Sequence, residues 1–153
     1  MNMVTYRPSK RSDAEYIGRH LREADRLEVE ATGVRGQDAV LLSYMDSEIC
    51  FTACSDGVPC MIFGVSKPIF SEEGYVWALG TDECARHPIE MVRFGRKYLR
   101  AFLEVCPYLV NWCDARYEKA HRWLRAIGFT VDDPAPYGVK GAMFCKLTAR
   151  KEW

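Results

Sequence analysis

Apolar and polar residues follow two different periods along the first third of the chain, and these periods predict its elements. Val4–Arg7 alternates briefly and stops at Pro8, which predicts a short first strand. Apolar residues then recur at helical spacing over Ile17–Ala31, and Gly33 is a natural stop. The spacing predicts one helix, or two helices with a break near residues 21–23.

Polar residues at the starts of these runs predict where the helices begin. Ser12, with Glu15 three residues later, has the spacing of a capping box. Asp38 precedes a shorter periodic run that carries Val40 and Met45, and it predicts the cap of a further helix. Each of these helices is therefore expected to begin at a capped residue.

Strand-forming residues dominate the middle of the chain. The runs Ile49–Ser55 and Val58–Val65 are joined by Asp-Gly at positions 56–57, a dipeptide typical of two-residue hairpin turns. A loop that contains a proline follows, and Tyr75–Leu79 predicts a further strand. This segment is therefore expected to supply three consecutive strands.

Helices and strands then alternate. Pro88–Phe102 predicts a helix with one apolar face, on which Gly95 indicates close approach to a sheet. Its other face carries a basic stripe, for which a solvated surface is expected and a binding patch is the alternative. The stripe consists of Arg93, Arg96, Lys97 and Arg100. Leu109–Cys113 predicts a buried strand, and Ala120–Ile127 predicts a last helix.

The end of the chain predicts two more strands. Phe129–Val131 begins the first and Met143–Leu147 makes the second, while Asp132–Lys140, with its two prolines, is expected to be a loop. A hairpin followed by alternating strands and helices predicts a mixed sheet with helices on both faces. The expected architecture is therefore one α/β domain over residues 1–153.

Composition limits the classes of function. The apolar fraction of 48% is ordinary for a globular domain. The 21 Lys and Arg residues balance 21 Asp and Glu residues, so net charge gives no reason to expect nucleic acid or a membrane surface. No apolar run reaches the roughly 20 residues that cross a bilayer, and no signal-peptide pattern is present. These features predict a cytoplasmic protein.

Seven cysteines are many for this length, but their number is odd and no C-x-x-C pair occurs. Buried free thiols are therefore favoured over disulfides or a zinc site, and no metal is expected. Cys113 ends a predicted strand and has no histidine near it in sequence, so a nucleophilic role is not expected.

Three pieces of the chain together resemble the GNAT N-acetyltransferase superfamily. They are the opening Tyr6–Pro8 with Asp13, the hairpin that continues into Gly64, and the closing Ala126–Phe129, which is similar to the end of the family's last helix. The resemblance implies a mixed, mostly antiparallel central sheet. Its fourth and fifth strands would splay apart, with helices on both faces.

The resemblance also implies a cofactor site. In this fold the pantetheine arm of acetyl-CoA lies between the splayed strands, and the pyrophosphate binds N–H groups at the start of the next helix. The corresponding cofactor-binding residues here are Leu79, Gly80, Ala85, Arg86 and His87. The family's turn is rich in glycine, whereas this one has only Gly80, and Asp82 and Glu83 would repel an anion. Acetyl-CoA is therefore implied by the resemblance but disfavoured by the turn.

The catalytic residues of the family are also missing. Its general-acid tyrosine falls on Leu124, which cannot protonate the departing CoA thiolate. Tyr117 falls where the family has asparagine, and its hydroxyl or that of Tyr137 is an alternative acid. Glu72 and Glu73 precede the fourth strand, where some members place a base, although exposed loop charges are the favoured interpretation.

A narrower resemblance is to the internal virion protein 13-like family of short-tailed bacteriophages. It rests on the opening Arg7–Lys10, the hairpin and the closing His121–Gly128. Members of that branch also lack the glycine-rich turn and the general-acid tyrosine. The resemblance implies a phage protein of the host bacterial cytoplasm or the virion, with phage virion or assembly proteins as partners.

These patterns leave three hypotheses about function. The favoured one is a catalytically degenerate GNAT-fold protein that acts in assembly of the virion core through protein contacts. The second is an active acetyl-CoA-dependent N-acetyltransferase that modifies a host protein or a small amine, and the third is a CoA-binding sensor. Trp77, Trp112 and Trp123 are expected in the core, and Trp153 is expected to be a contact residue.

Overall fold

The computed structural model describes residues 3–152, which form one seven-stranded sheet flanked by helices. The strands are β1 (Val4–Pro8), β2 (Ile49–Ser55), β3 (Val58–Ser66), β4 (Glu73–Gly80), β5 (Tyr108–Asp114), β6 (Thr130–Tyr137) and β7 (Ala142–Arg150). The helices are α1 (Arg11–Arg19), α2 (Glu23–Ala31), α3 (Gly36–Asp46), a 3₁₀ helix (Asp82–Arg86), α4 (Pro88–Val105) and α5 (Glu118–Ile127). Trp153, the expected contact residue, lies outside the described residues.

The sheet has the strand order β1-β2-β3-β4-β5-β7-β6. All neighbouring strands are antiparallel except β4 and β5, which are parallel. These two pair only over Glu73–Tyr75 and Tyr108–Val110, and then they separate. The predicted fold class, a mostly antiparallel sheet with splayed fourth and fifth strands, is therefore confirmed.

The two faces of the sheet carry different helices, as adjacent residues of β3 show. Ile62 belongs to a buried cluster with Ala14, Ile17 and Val40 from α1 and α3. Phe63, the next residue, packs instead against the cluster that holds Leu99, Phe102 and Leu124 from α4 and α5. Because side chains alternate across a strand, α1 and α3 cover one face, and α4 and α5 cover the other.

The break near residues 21–23 is confirmed, since α1 ends at Arg19 and α2 starts at Glu23. The predicted capping box was wrong. The N-cap of α1 is Lys10, whose N–H donates to the Asp13 carboxylate at 2.8 Å, and Asp13 is fixed there by an ion pair with Arg7.

The cap predicted at Asp38 was also wrong, because α3 begins two residues earlier, at Gly36, with Arg35 as the N-cap residue. Asp38 lies in the first turn, where a negative charge interacts favourably with the positive end of the helix dipole.

The loop predicted over residues 132–140 is mostly strand. β6 runs through both prolines and is the edge strand of the sheet, where a missing N–H costs no ladder hydrogen bond. A bulge between Val131 and Pro134 accommodates the extra residues. Proline clusters therefore misled the prediction, because the sequence does not show which strand will lie at an edge.

Two smaller expectations have different outcomes. Gly95 makes its close approach to α5 and not to the sheet, since an added Cβ would lie 2.7 Å from Cγ2 of Ile127. The seven cysteines are all free, and six of them are buried, so their predicted role as small apolar residues is confirmed. Within residues 3–152, the helices are too short or too polar to cross a membrane.

A candidate site where β4 and β5 separate

The space between β4 and β5 has the shape of a V that opens towards Gly80. The side-chain amide of Asn111 donates to the carbonyl of Val76 just beyond the last paired residues and marks the vertex. Peptide groups of a strand alternate in direction, so those of Val76, Ala78 and Gly80 all face into the V. These are the groups with which an extended ligand containing amides would pair.

Helix α2 lies across the open end and occupies the peptide groups of Gly80. The Gly80 N–H donates to Oδ2 of Asp25 at 2.8 Å, and its carbonyl accepts from the N–H of Arg22 at 3.0 Å. The Arg22 guanidinium also donates to Asp25 at 2.9 Å, and only 3% of Asp25 is exposed. The N–H and the carbonyl of Gly80 are therefore both hydrogen-bonded to other residues of this chain.

The same helix reaches the other arm of the V. Oε2 of Glu28 accepts from the N–H of Asp114 at 3.0 Å and from the thiol of Cys113 at 3.3 Å. Residues three apart share one face of a helix, so Asp25 and Glu28 bind β4 and β5 from adjacent turns of α2. Helix α2 thus bridges the separated strands.

Burial raises the pKa values of the Asp25 and Glu28 carboxyl groups of α2 and of the Cys113 thiol. It raises the pKa of Glu28 from 4.5 to about 7, against the opposing effect of the Asp114 N–H. Burial also raises the pKa of Asp25, although the neighbouring Arg22 charge works in the other direction. The pKa of Cys113 is raised by burial and by the adjacent Glu28, so this residue is a thiol and not an activated nucleophile.

The raised pKa of Glu28 predicts a pH dependence of stability. Between about pH 4.5 and 7 the folded state binds more protons at this carboxyl than the unfolded chain, so this contribution is lost as pH rises. Glu28→Gln cannot ionise and should remove that loss. The unfolding free energy of the wild type relative to Glu28→Gln should therefore fall by up to about 1.4 kcal/mol per pH unit.

Urea denaturation of both proteins across this pH range measures the effect. Glu23→Gln is the matched control, because Glu23 lies on the same helix with an exposed side chain, and its profile should run parallel to that of the wild type. Parallel profiles for Glu28→Gln and the wild type would show that Glu28 ionises as in an unfolded chain.

The opposite face of the V is covered by Trp123 from α5. Its indole N–H donates to the carbonyl of Met91 in α4 at 3.0 Å. Its ring packs against two buried clusters, one with Met61 and Cys84 and a larger one with Cys113. Trp123 therefore joins α4 to α5 on the face of the sheet opposite α1 and α3.

The other two central tryptophans lie elsewhere. The indole N–H of Trp77 donates to Oγ of Ser47 at 2.7 Å on the α1–α3 face. Trp112 stacks on Tyr137 of β6 with ring centroids 4.6 Å apart. Tyr137, an alternative acid in the sequence analysis, is therefore part of an aromatic pair near the sheet edge.

The first two predicted cofactor residues end β4. The Leu79 side chain is buried in the cluster shared with α1 and α3, while Gly80 is the residue held by α2. Ala85 follows in the 3₁₀ helix and is exposed. The segment that the GNAT resemblance assigns to phosphate binding is therefore a short 3₁₀ helix. Asp82 and Glu83 make its first turn acidic.

Arg86 and His87 differ in burial, but both side chains lie close to the carboxylate of Glu83. The exposed guanidinium of Arg86 lies 3.5 Å from the carboxylate of Glu83. The ring of His87 is buried, with Nε2 at 3.0 Å from Oγ of Ser55 and 3.5 Å from Glu83. Both side chains therefore lie within 3.5 Å of one carboxylate, that of Glu83, and their assignment to a cofactor stays a prediction.

Among the catalytic candidates, Tyr117 is the one that the structure brings to the V. It precedes α5, and the Arg22 guanidinium lies 5.7 Å from its ring centroid. Burial raises its pKa, as does the Asp25 charge, so the hydroxyl stays protonated. Leu124, which stands where the family has its acid, is buried in the core under α5.

Glu72 and Glu73 lie at the other end of β4. Both are exposed, and Glu73 pairs with Tyr108 where the two strands are still together. Seven residues separate Glu73 from Gly80, which corresponds to about 23 Å along a strand. The structure therefore does not place these carboxylates near the open end.

Arg22, Asp25 and Glu28 were missed by the sequence analysis. Leu27 was expected on the buried face of this helix, but it is exposed, and the polar residues face inward instead. The sequence held only a weak signal, because these three residues recur every third position and share one helix face, but Glu23, Arg26 and Glu30 are charged as well.

Comparison with known proteins adds to this geometry. No protein-family model and no curated protein matches the sequence. Among solved structures, a GNAT-family acetyltransferase from Streptococcus pneumoniae is similar with a TM-score of 0.67 at 12% identity, over 98% of this chain and 100% of that one.

Two further solved structures of acetyltransferases are also similar to this chain. A spermidine N-acetyltransferase SpeG chimera from Vibrio cholerae and hSSAT has a TM-score of 0.70 at 11% identity, over 96% of this chain and 95% of that one. The yncA protein of Salmonella typhimurium, whose structure contains acetyl-CoA, has a TM-score of 0.64 at 16% identity, over 97% and 94%. Such low identities show the fold alone: the chain has the fold of the GNAT acetyltransferases.

Proposed function

We propose that this chain is a GNAT-fold protein whose acetyl-CoA passage is filled by its own residues, and that it acts through protein contacts and not through acetyl transfer. The observation that carries the proposal is the bridge made by α2, in which Arg22 and Asp25 bind both peptide groups of Gly80. A pantetheine arm would need those groups free.

Displacing α2 would be costly. Each backbone hydrogen bond contributes about 1 kcal/mol, and bonds to a charged group contribute about 1.5–3 kcal/mol. A ligand would have to replace the Gly80 bonds to Arg22 and Asp25, and also the bonds that Glu28 accepts from β5. Trp123 opposes entry from the other face, since its ring joins two buried clusters.

The segment after β4, to which the GNAT resemblance assigns phosphate binding, supports the same proposal. The turn after β4 has no glycine beyond Gly80 to admit a pyrophosphate closely, and Asp82 and Glu83 place negative charge in the first turn of the 3₁₀ helix. Like charges repel, and the helix dipole that normally favours an anion is offset by these carboxylates.

The resemblance to phage internal virion proteins supports a specific kind of protein contact. Its sequence pieces, Arg7–Lys10 and His121–Gly128, lie in regions that the structure builds as β1 and α5. We therefore place the protein in the assembly of a virion core, with phage virion or assembly proteins as partners in the host bacterial cytoplasm or the virion.

Titration with acetyl-CoA tests the first part of the proposal. A ligand at about 100 times its dissociation constant stabilises a protein by about 2.7 kcal/mol. For a domain of this size that corresponds to a rise of about 5–10 °C in the melting temperature. We expect no rise at millimolar acetyl-CoA, and an active GNAT enzyme measured in parallel is the positive control.

A melting shift would overturn the filled passage, and a thiol assay would then separate the alternatives. CoA release with a panel of amines would identify an acetyltransferase, whereas binding without release would identify a sensor. Virion assembly is tested separately by co-expression with the internal virion proteins of a short-tailed phage. Co-elution in size-exclusion chromatography is expected, and separate elution would contradict this role.

One observation favours a second candidate, an N-acetyltransferase acting on an amine. Glu28, with its pKa raised to about 7, and the protonated hydroxyl of Tyr117 both lie at the open end of the V. A base that takes a proton from an ammonium and an acid that protonates a thiolate are the groups such a reaction needs. This candidate predicts CoA release that Glu28→Gln and Tyr117→Phe each reduce by about 10²-fold or more.

A further inference from the structure

The loop between β3 and β4 presents two large apolar side chains to solvent. Ile69 is 84% exposed and Phe70 is 105% exposed. Phe70 also has a positive φ of 67°, a left-handed conformation that residues with a bulky side chain rarely adopt. We call these two residues the tip. Their exposure and backbone conformation are unusual for a loop without a partner.

Acidic residues surround the tip. Glu72 and Glu73 follow it directly and are exposed, and no salt bridge within residues 3–152 involves either one. Glu48 lines the same surface hollow, in which Lys67 is the one cation among the lining residues. The tip is therefore an apolar point within a region of net negative charge.

A groove of complementary character runs along the outer side of α4. It is a shallow hollow of about 680 Å³, open to solvent and lined by residues of α4 alone, namely Pro88, Ile89 and Val92 together with four cations. The cations are Arg93, Arg96, Lys97 and Arg100, which the sequence analysis described as a basic stripe. Ile89 is 77% exposed. We call this surface the α4 groove.

The cations of the α4 groove are not neutralised within the described part of the chain. None of the salt bridges found in residues 3–152 involves them, although Arg96 donates to the carbonyl of Ala126 at 2.9 Å. The zero net charge of the whole chain thus conceals separate acidic and basic regions. Each of these regions contains exposed apolar side chains.

The apolar parts of the two surfaces lie beyond opposite ends of β4, although α4 returns along the sheet and Cys106, its C-cap, donates to the carbonyl of Glu72 at 3.5 Å. The tip precedes β4, whereas the apolar part of the groove, Pro88–Val92, follows the 3₁₀ helix after the other end of that strand. The eight residues of β4 span about 23 Å, so the tip of one chain does not reach the apolar part of its own groove. A second copy of the chain carries a tip that is free to do so.

We propose that the tip of one copy docks in the α4 groove of a second copy. Ile69 and Phe70 would pack on Ile89 and Val92, while the acidic residues beside the tip face the cations that line the groove. The contact joins two different surfaces, so it is heterologous and leaves one free tip and one free groove at the ends of every assembly. This inference is independent of whether acetyl-CoA binds.

Sedimentation velocity from micromolar to millimolar protein tests the proposal. We expect a mean mass that rises with concentration and falls with added salt, because exposed charge pairs are screened. Phe70→Ser removes the tip and Arg93→Glu reverses one groove charge, and each variant alone should stay monomeric. Mixed together they should form a 1:1 dimer that grows no further, because only one competent tip and one competent groove remain.

Two surface variants are matched controls. Val139→Ser changes an equally exposed apolar residue at 85% exposure, and Arg122→Glu reverses an exposed charge on α5. Both should associate like the wild type. A wild type that stays monomeric at millimolar concentration would overturn the proposal. So would association that survives Phe70→Ser and Arg93→Glu, or a mixture of those two variants that stays monomeric.

Discussion

Replacing Asp25 by alanine is expected to lower the free energy of unfolding by about 3–5 kcal/mol, the range found when one partner of a buried ion pair is removed. The carboxylate is almost fully buried and accepts from both the Arg22 guanidinium and the N–H of Gly80. Its loss leaves a largely buried cation and a backbone donor without their partner. Urea denaturation at neutral pH measures the effect.

Two further variants separate this cause from a general weakening of α2. Glu23→Ala, on the same helix but with an exposed side chain, should change stability by less than about 0.5 kcal/mol. The double variant Arg22→Ala with Asp25→Ala should cost less than the sum of the single changes, because it removes both charges together. A loss below about 1 kcal/mol for Asp25→Ala would mean that α2 does not hold β4 as described.

The second large effect is expected on the other face of the V. Trp123→Ala should destabilise the protein by about 3 kcal/mol or more, since it removes a large ring that packs against two buried clusters. It also leaves the carbonyl of Met91 without its indole donor. Thermal and urea denaturation both report this loss.

Trp123→Phe is the matched control, because it keeps most of the ring and removes the N–H. Its cost should be nearer the hydrogen-bond contribution of about 1 kcal/mol together with a smaller packing loss. Equal losses for the alanine and phenylalanine variants would indicate that the hydrogen bond to Met91, and not the packing of the ring, determines the contribution of Trp123.

These two predictions concern the residues that fill the V from opposite sides, and the sequence analysis treated them differently. Trp123 was expected in the core, because it lies on the apolar face of a periodic helix. Asp25 was not singled out, because charged residues in a helix usually lie on its solvated face. Local periodicity could not show that a second layer, β4 and β5, would offer unpaired backbone groups to that carboxylate.

The candidate cofactor residues show the same limit. Leu79 and Gly80 were correctly placed at the end of a strand, but the peptide groups of Gly80 are bound by α2, whose residues lie 55 positions away in the chain at Asp25. His87 was predicted as one of the cofactor-binding residues. Its ring is instead buried beside Ser55, which lies 32 positions away.

The sequence by itself determined the order of the elements, because hydrophobic period, turn residues and helix stops act over a few neighbouring residues. It predicted the β2–β3 hairpin and the helix that starts at Pro88, and it gave the separation of α1 from α2 as one of two alternatives. Those features, with the resemblance to the GNAT superfamily, were enough to predict a mostly antiparallel sheet with splayed fourth and fifth strands.

Only the tertiary structure decided what occupies the V. The bonds from Asp25 to Gly80 and from Glu28 to Asp114 join residues 55 and 86 positions apart. Such contacts depend on how layers pack and on which buried backbone groups still need a partner, and neither is visible in a local pattern. The resemblance to the GNAT superfamily indicated that Leu124 falls where that family has its general acid. The tertiary structure showed that residues of α2 and Arg22 before it bind both arms of the V.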